Sequence, residues 1–192
     1  MVICYTLPRN YLALAELRDD FMGFPFTITA PLVDGAGLGD EARARGVVVL
    51  GHEGERLAVA LSEMEPRQGS ILLVGNRSRP DIMRVTQRRN KKVLGTLAGD
   101  TWRTVRISFR DFGRVEELVA SEAAGAAGEG APLFIYPFGP KSTVLAVALA
   151  AAKHYPKGSW FVYPVPSFYD QQYTVGIGLT YWLAPLEPMP LS

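Results

Sequence analysis

The stretch Gly46-Val47-Val48-Val49-Leu50-Gly51-His52-Glu53-Gly54-Glu55-Arg56-Leu57-Ala58-Val59-Ala60-Leu61 decides the fold. Its opening residues are apolar and largely β-branched without alternation, which predicts a strand covered on both faces. Glycines then interrupt the chain. Over residues 53–64 the apolar positions Leu57, Ala60, Leu61 and Met64 recur at helical spacing. A buried strand turning directly into an amphipathic helix is the first half of a β-α-β unit.

Working outward, the unit repeats. Ser70-Ile71-Leu72-Leu73-Val74 reads as a second strand, and residues 80–97 as its helix, with Ile82, Val85, Val93 and Leu94 inward. Thr104-Val105-Arg106-Ile107-Ser108 is a third strand, followed by a helix over 115–124 and a flexible Ala/Gly-rich exit over 123–130. Pro132-Leu133-Phe134-Ile135-Tyr136 is a fourth strand, and residues 142–154 form an alanine-rich helix. Trp160-Phe161-Val162-Tyr163 is a fifth strand, with a sixth over 175–183. This alternation predicts an α/β fold, Rossmann-like, with a mostly parallel five- to six-stranded sheet and helices on both faces. Residues 46–192 are assigned to that domain and residues 1–45 to an N-terminal appendage. In the appendage, Asn10 to Leu17 have helical spacing, Gly23-Phe24-Pro25 ends that helix, residues 26–29 form a short strand and 31–40 a loop.

The chain has 192 residues, of which 48% are apolar and 20% charged, enough for a core that needs no disulfide or metal. Cys4 is alone, and with His52 and His154 it makes no zinc set, so no metal and no cofactor is implied. No apolar run reaches the roughly 18 residues of a membrane span, and the N-terminus lacks the order of a signal peptide. The expectation is a cytoplasmic protein without membrane contact. The net charge of +1 conceals a division. Between Arg67 and Arg114 stand twelve basic residues against Asp81, Asp100 and Asp111, while the rest of the chain holds 8 basic and 16 acidic residues. A clustered positive field survives locally even when the total cancels, which points to an anionic partner; the alternative is a basic surface paired internally.

In an open parallel sheet the ligand crevice lies beyond the C-terminal ends of the strands. The segments that follow the strands therefore supply the candidates: Gly51, His52 and Glu53; Asn76 and Arg77; Gly139, Lys141, Ser142 and Thr143; and Tyr169 and Asp170. Gly139 permits close backbone approach, Lys141 offers a cation, and Ser142 and Thr143 can cap the next helix while presenting hydroxyls to an anion at its N-terminus. The plainer alternative is a capped helix with a solvated lysine. The loop is not a Walker A sequence, because Phe134 stands where the first glycine belongs and Pro140 separates Gly139 from Lys141. His52-Glu53 opens like a zinc-protease motif, but position 56 is arginine. No Gly-x-Gly-x-x-Gly is present. His52, Glu53 and Asp170 are candidate acid-base groups for a hydrolase, yet no spacing joins them into a catalytic set. Tyr169 and Asp170 are read as pocket residues that stack on and hydrogen-bond a base. Arg84, Arg88, Lys91 and Lys92 share one side of their helix, which fits nucleic-acid phosphates or a solvated face.

Phe134-Ile135-Tyr136-Pro137-Phe138-Gly139-Pro140-Lys141-Ser142, opening a small-residue helix late in this strand order, resembles the CRISPR-associated Rossmann-fold sensor domains over about residues 46–163. In that family a Gly-Thr-Lys-like turn touches a cyclic oligonucleotide at a dimer dyad. The resemblance implies Gly139, Lys141 and Ser142 as ligand contacts, with Gly51 to Glu53 opposite them. Pro140 stands where the family has a small polar residue. The resulting expectation is a noncatalytic domain of prokaryotic antiviral defence that binds a nucleotide or other phosphorylated ligand, as a homodimer or a subunit of a larger complex. Nucleic-acid association through the basic stripe is the alternative.

Overall fold

The computed structural model describes residues 26–52, 54–75, 80–97 and 101–165, together with the backbone of 3–11 and 174–183. By contacts the chain forms two units, residues 1–22 with 168–192, and residues 23–167. In the first, β1 (Ile3–Tyr11) pairs antiparallel with β8 (Thr174–Leu183), and the register shifts between Thr6 and Pro8. Asn10 and Tyr11, the start of the expected helix, are therefore extended. Ile3, Tyr5 and Thr6 favour a pleated backbone, and β8 supplies the ladder that local propensity leaves out. The rest of that expected helix lies outside the described residues. The strand expected over 175–183 is present, but its partner is β1 and not the main sheet.

The second unit is built on a six-stranded sheet in the order β2-β7-β6-β3-β4-β5. Its strands are β2 (Phe26–Pro31), β3 (Arg45–Val49), β4 (Gln68–Gly75), β5 (Trp102–Ser108), β6 (Leu133–Pro137) and β7 (Ser159–Val165). All neighbours from β5 through β7 are parallel, and β2 closes the β7 edge antiparallel. The helices are α1 (Gly54–Glu63), α2 (Pro80–Arg89), α3 (Lys91–Thr96), α4 (Phe112–Glu129) and α5 (Lys141–His154).

The chain moves outward from β3 through β4 to β5, then returns to the other side of β3 for β6 and β7. Because crossovers are right-handed, the two directions of travel put helices on opposite faces. Leu57, Ala60 and Leu61 of α1 and Val93 of α3 pack against Val48, Ile71, Leu73 and Tyr136 on one face. Val115, Val119 and Ala123 of α4 and Val147 and Ala151 of α5 pack against Val49, Leu72 and Ile135 on the other. Val47, Val48 and Val49 are each fully buried, the arrangement that an unbroken apolar run predicts.

Two helices differ from their sequence reading. The Ala/Gly-rich residues 123–129 continue α4 instead of forming an exit, since Ala123 and Ala126 are core residues, and Gly130 ends the helix at φ 62° with its N–H on the Ala126 and Ala127 carbonyls. The helix expected over 80–97 is divided at Asn90, whose side-chain amide shares the Thr86 carbonyl with its own backbone N–H.

Candidate functional site

Strand order reverses between β3 and β6, and the two loops leaving these strands touch backbone to backbone. Phe138 N–H donates to the Val49 carbonyl at 3.1 Å. A Cβ on Gly51 would fall 1.7 Å from the Phe138 carbonyl oxygen, and one on Gly139 would fall 2.4 Å from Val49 Cγ1. Only glycine fits either position. This contact joins loops that leave neighbouring strands of the sheet but lie far apart in the chain, and the N-termini of α1 and α5 follow it on opposite faces. Helix N-termini carry N–H groups without intrahelical partners and positive dipole charge, which favour an anion.

The α5 end differs from the sequence reading in one respect. Pro140 occupies the position before the helix with extended backbone (φ −56°, ψ 133°), and no side chain caps it. The helix starts at Lys141, so Ser142 and Thr143 fall inside its first turn and both are buried. Thr143 Oγ1 has no hydrogen-bond partner among the described residues. Lys141 is exposed and Gly139 half-buried.

On the α1 side, Arg56 is buried at 7% exposure, donates to the Tyr163 hydroxyl at 3.1 Å, and lies with its guanidinium 5.3 Å from the ring centre. The Tyr163 ring stacks on Phe138 at 6.1 Å. A cation and two rings thus stand together at the ends of β6 and β7. His52 is half-buried, and its Nδ1 lies 2.8 Å from Thr86 Oγ1 of α2. Burial pushes its imidazole below the ordinary histidine pKa and the charge of Arg89 adds to this, so the ring is neutral at pH 7. Asn90 fixes the same loop: its Nδ2 donates to the Gly51 and Thr86 carbonyls, each at 2.8 Å.

Of the sequence candidates, Gly51, His52, Gly139 and Lys141 stand on two touching loops and the helix that follows. Glu53, Asn76, Arg77, Tyr169 and Asp170 lie outside the described residues. Arg84, Arg88, Lys91 and Lys92 are exposed on α2 and α3. Sequence reasoning missed Arg56, Phe138, Tyr163, Thr86 and Asn90. The buried asparagine in a basic helix was the one signal available, because a polar residue on the apolar side of a helix needs a partner.

A second polar assembly sits at the other end of the strands. Buried Glu122 of α4 accepts from Ser70 Oγ at 2.6 Å and pairs with Arg45 and Arg103, each at 3.2 Å. Arg45 also bonds Glu129 at 2.8 Å, which holds the Glu129 carboxyl below the usual carboxylate range. A cavity of about 230 Å³ adjoins this network, lined by Gln68, Thr101, Arg103, Ser121 and Glu122 among others.

No family model matches the chain, and no curated protein matches it. Among the described residues, no helix is long and apolar enough to cross a membrane, and no group of three or more His, Cys, Asp or Glu can hold a metal ion.

Proposed function

We propose that this protein is a noncatalytic recognition domain with a Rossmann-like sheet, binding a nucleotide or other phosphorylated ligand in the crevice between the ends of β3 and β6. The observation that carries the reading is the backbone contact of the Gly51 and Gly139 loops at the point where strand order reverses. That is the general position of ligands in open α/β sheets, and two helix N-termini and the exposed Lys141 border it. Phe138 and Tyr163 offer apolar surface for a base, with Arg56 polarising one end. On the resemblance carried by residues 134–142, the reading extends to a cyclic oligonucleotide messenger, a homodimer and antiviral defence.

Thermal unfolding in the presence of mononucleotides, dinucleotides and cyclic oligonucleotides tests this. At a hundredfold excess over Kd a ligand stabilises by about 2.7 kcal/mol, which in a chain of this size raises Tm by roughly 5–10 °C. Lys141→Ala reduces the shift at equal ligand concentration. If none of these compounds moves Tm in the native protein, the reading is wrong.

A further inference from the structure

The break at Asn90 leaves the backbone ladder largely intact: Asn90 N–H donates to the Thr86 carbonyl at 3.1 Å, and Leu94 N–H to the Asn90 carbonyl at 2.8 Å. Residues on either side of the break therefore keep a common helical phase. At about 100° per residue, Arg84, Arg88, Lys91 and Lys92 fall within roughly 100° of arc. Buried Thr86, Asn90 and Val93 lie opposite, so the four cations cannot reach the core. All four are exposed, and none makes an ion pair among the described residues. Ionic partners are taken up elsewhere: Arg43, Arg45, Arg103, Arg114 and Lys153 each meet a carboxylate.

The sheet extends this basic surface. β5 is the edge strand, and its register pairs Thr104 with Ile71 and Arg106 with Leu73. Ile71 and Leu73 belong to the core under α1 and α3, so Thr104, Arg106 and Ser108 share that face of the sheet. All three are exposed. The basic helix pair thus borders an open polar shelf bearing a fifth cation.

We propose that α2, α3 and the β5 shelf bind the phosphodiester backbone of a nucleic acid without reading its sequence. Four cations spread over roughly 12 Å of helix match the phosphates of one strand, which follow at about 3.4 Å of axial rise. Cations in contact with phosphates release counterions, whereas a folded acidic protein or a second copy of this chain presents no such continuous array. The described shelf residues are polar or charged and include no exposed aromatic ring on which a base stacks, so the contact is to the backbone.

Fluorescence anisotropy of labelled mixed-sequence duplex DNA, single-stranded DNA and single-stranded RNA with the full chain tests this surface. Neutralising about five phosphates lowers duplex affinity roughly five-hundredfold between about 50 and about 200 mM salt. The triple variant Arg84→Gln, Arg88→Gln, Lys92→Gln shallows the log–log salt slope by about three, and Arg106→Gln shallows it by about one. Tm of these exposed-residue variants, measured in parallel without nucleic acid, stays at the native value. The three nucleic acids identify which form binds most tightly, and preference for any one of them supports the proposal. Three results overturn it: no binding to any nucleic acid, a triple-variant slope equal to the native one, or capture by phosphatidylserine vesicles with none by nucleic acid. A nucleotide-insensitive protein that still binds DNA or RNA with this slope loses the crevice reading and keeps this one.

Discussion

At the N-terminal ends of β3 and β4 the charges satisfy one another, whereas at the C-terminal ends of β3 and β6 polar and aromatic groups gather beside two touching loops. Glu122 illustrates the first end: it accepts from Ser70 and two arginines, and the neighbouring Arg45 also holds Glu129. The adjoining cavity of about 230 Å³ is bordered by Arg45, Arg103 and Glu122, which pair with one another, so its size alone assigns it no ligand. The second end holds Gly51 against Phe138, exposed Lys141, two helix N-termini and the Arg56-Tyr163-Phe138 stack. Cavity volume and chemical readiness thus fall at opposite ends of the same strands. Saturated charge pairs reinforce a fold, while unsaturated dipoles and a close glycine contact prepare a surface for something else.

Substitutions at the two ends separate these roles. Glu122→Ala removes the buried acceptor of Ser70, Arg45 and Arg103; because Arg45 keeps Glu129 and Arg103 is half exposed, the cost is about 3 kcal/mol, the low end for a broken buried pair. Urea denaturation should show that loss in a protein whose ligand response, corrected for stability, is unchanged. If the nucleotide-dependent Tm shift disappears while stability is kept, the division between the two ends fails. Gly51→Ala has a smaller expected cost, about 1–3 kcal/mol for forcing overpacked groups apart, but it acts at the other end. The methyl group pushes the Phe138 loop away from β3, so ligand-dependent stabilisation should be lost along with stability. Full retention of the ligand shift would break the link between this contact and binding.

The smallest expected effect is on pH. His52 has its pKa lowered in the folded protein by burial and by Arg89, while in the unfolded chain it titrates near the ordinary value of about 6.5. Below that value the unfolded state takes up a proton that the folded state resists, so stability falls as pH drops from about 6.5 towards the folded pKa and is flat above it. His52→Gln should remove that component from the stability profile. An identical profile in the variant would show that the loop at this end opens freely to solvent.

The α/β alternation, the five parallel strands and the candidate loops around Gly51 and Gly139 were legible because each rests on local pattern: β-branched runs, helical spacing and glycine punctuation. The division of charge was legible for the same reason, and the structure shows Arg84, Arg88, Lys91 and Lys92 exposed together. Less legible were Ser142 and Thr143, whose side chains fit a cap until Pro140 is seen to take that position and both residues turn inward. The Asn90 bond to Gly51 spans 39 residues, and the Arg56 bond to Tyr163 spans 107. Nothing in a local window announces such partners.

The sequence by itself determined the alternation of strands and helices from β3 to β7 and where the cations concentrate, because propensity, periodicity and charge act over neighbouring residues. Tertiary structure alone decided that β8 pairs with β1, that the loops after β3 and β6 meet through two glycines, and that Glu122 rather than the crevice collects Arg45 and Arg103. Those outcomes depend on strand order and on burial that forces polar groups to find partners far along the chain.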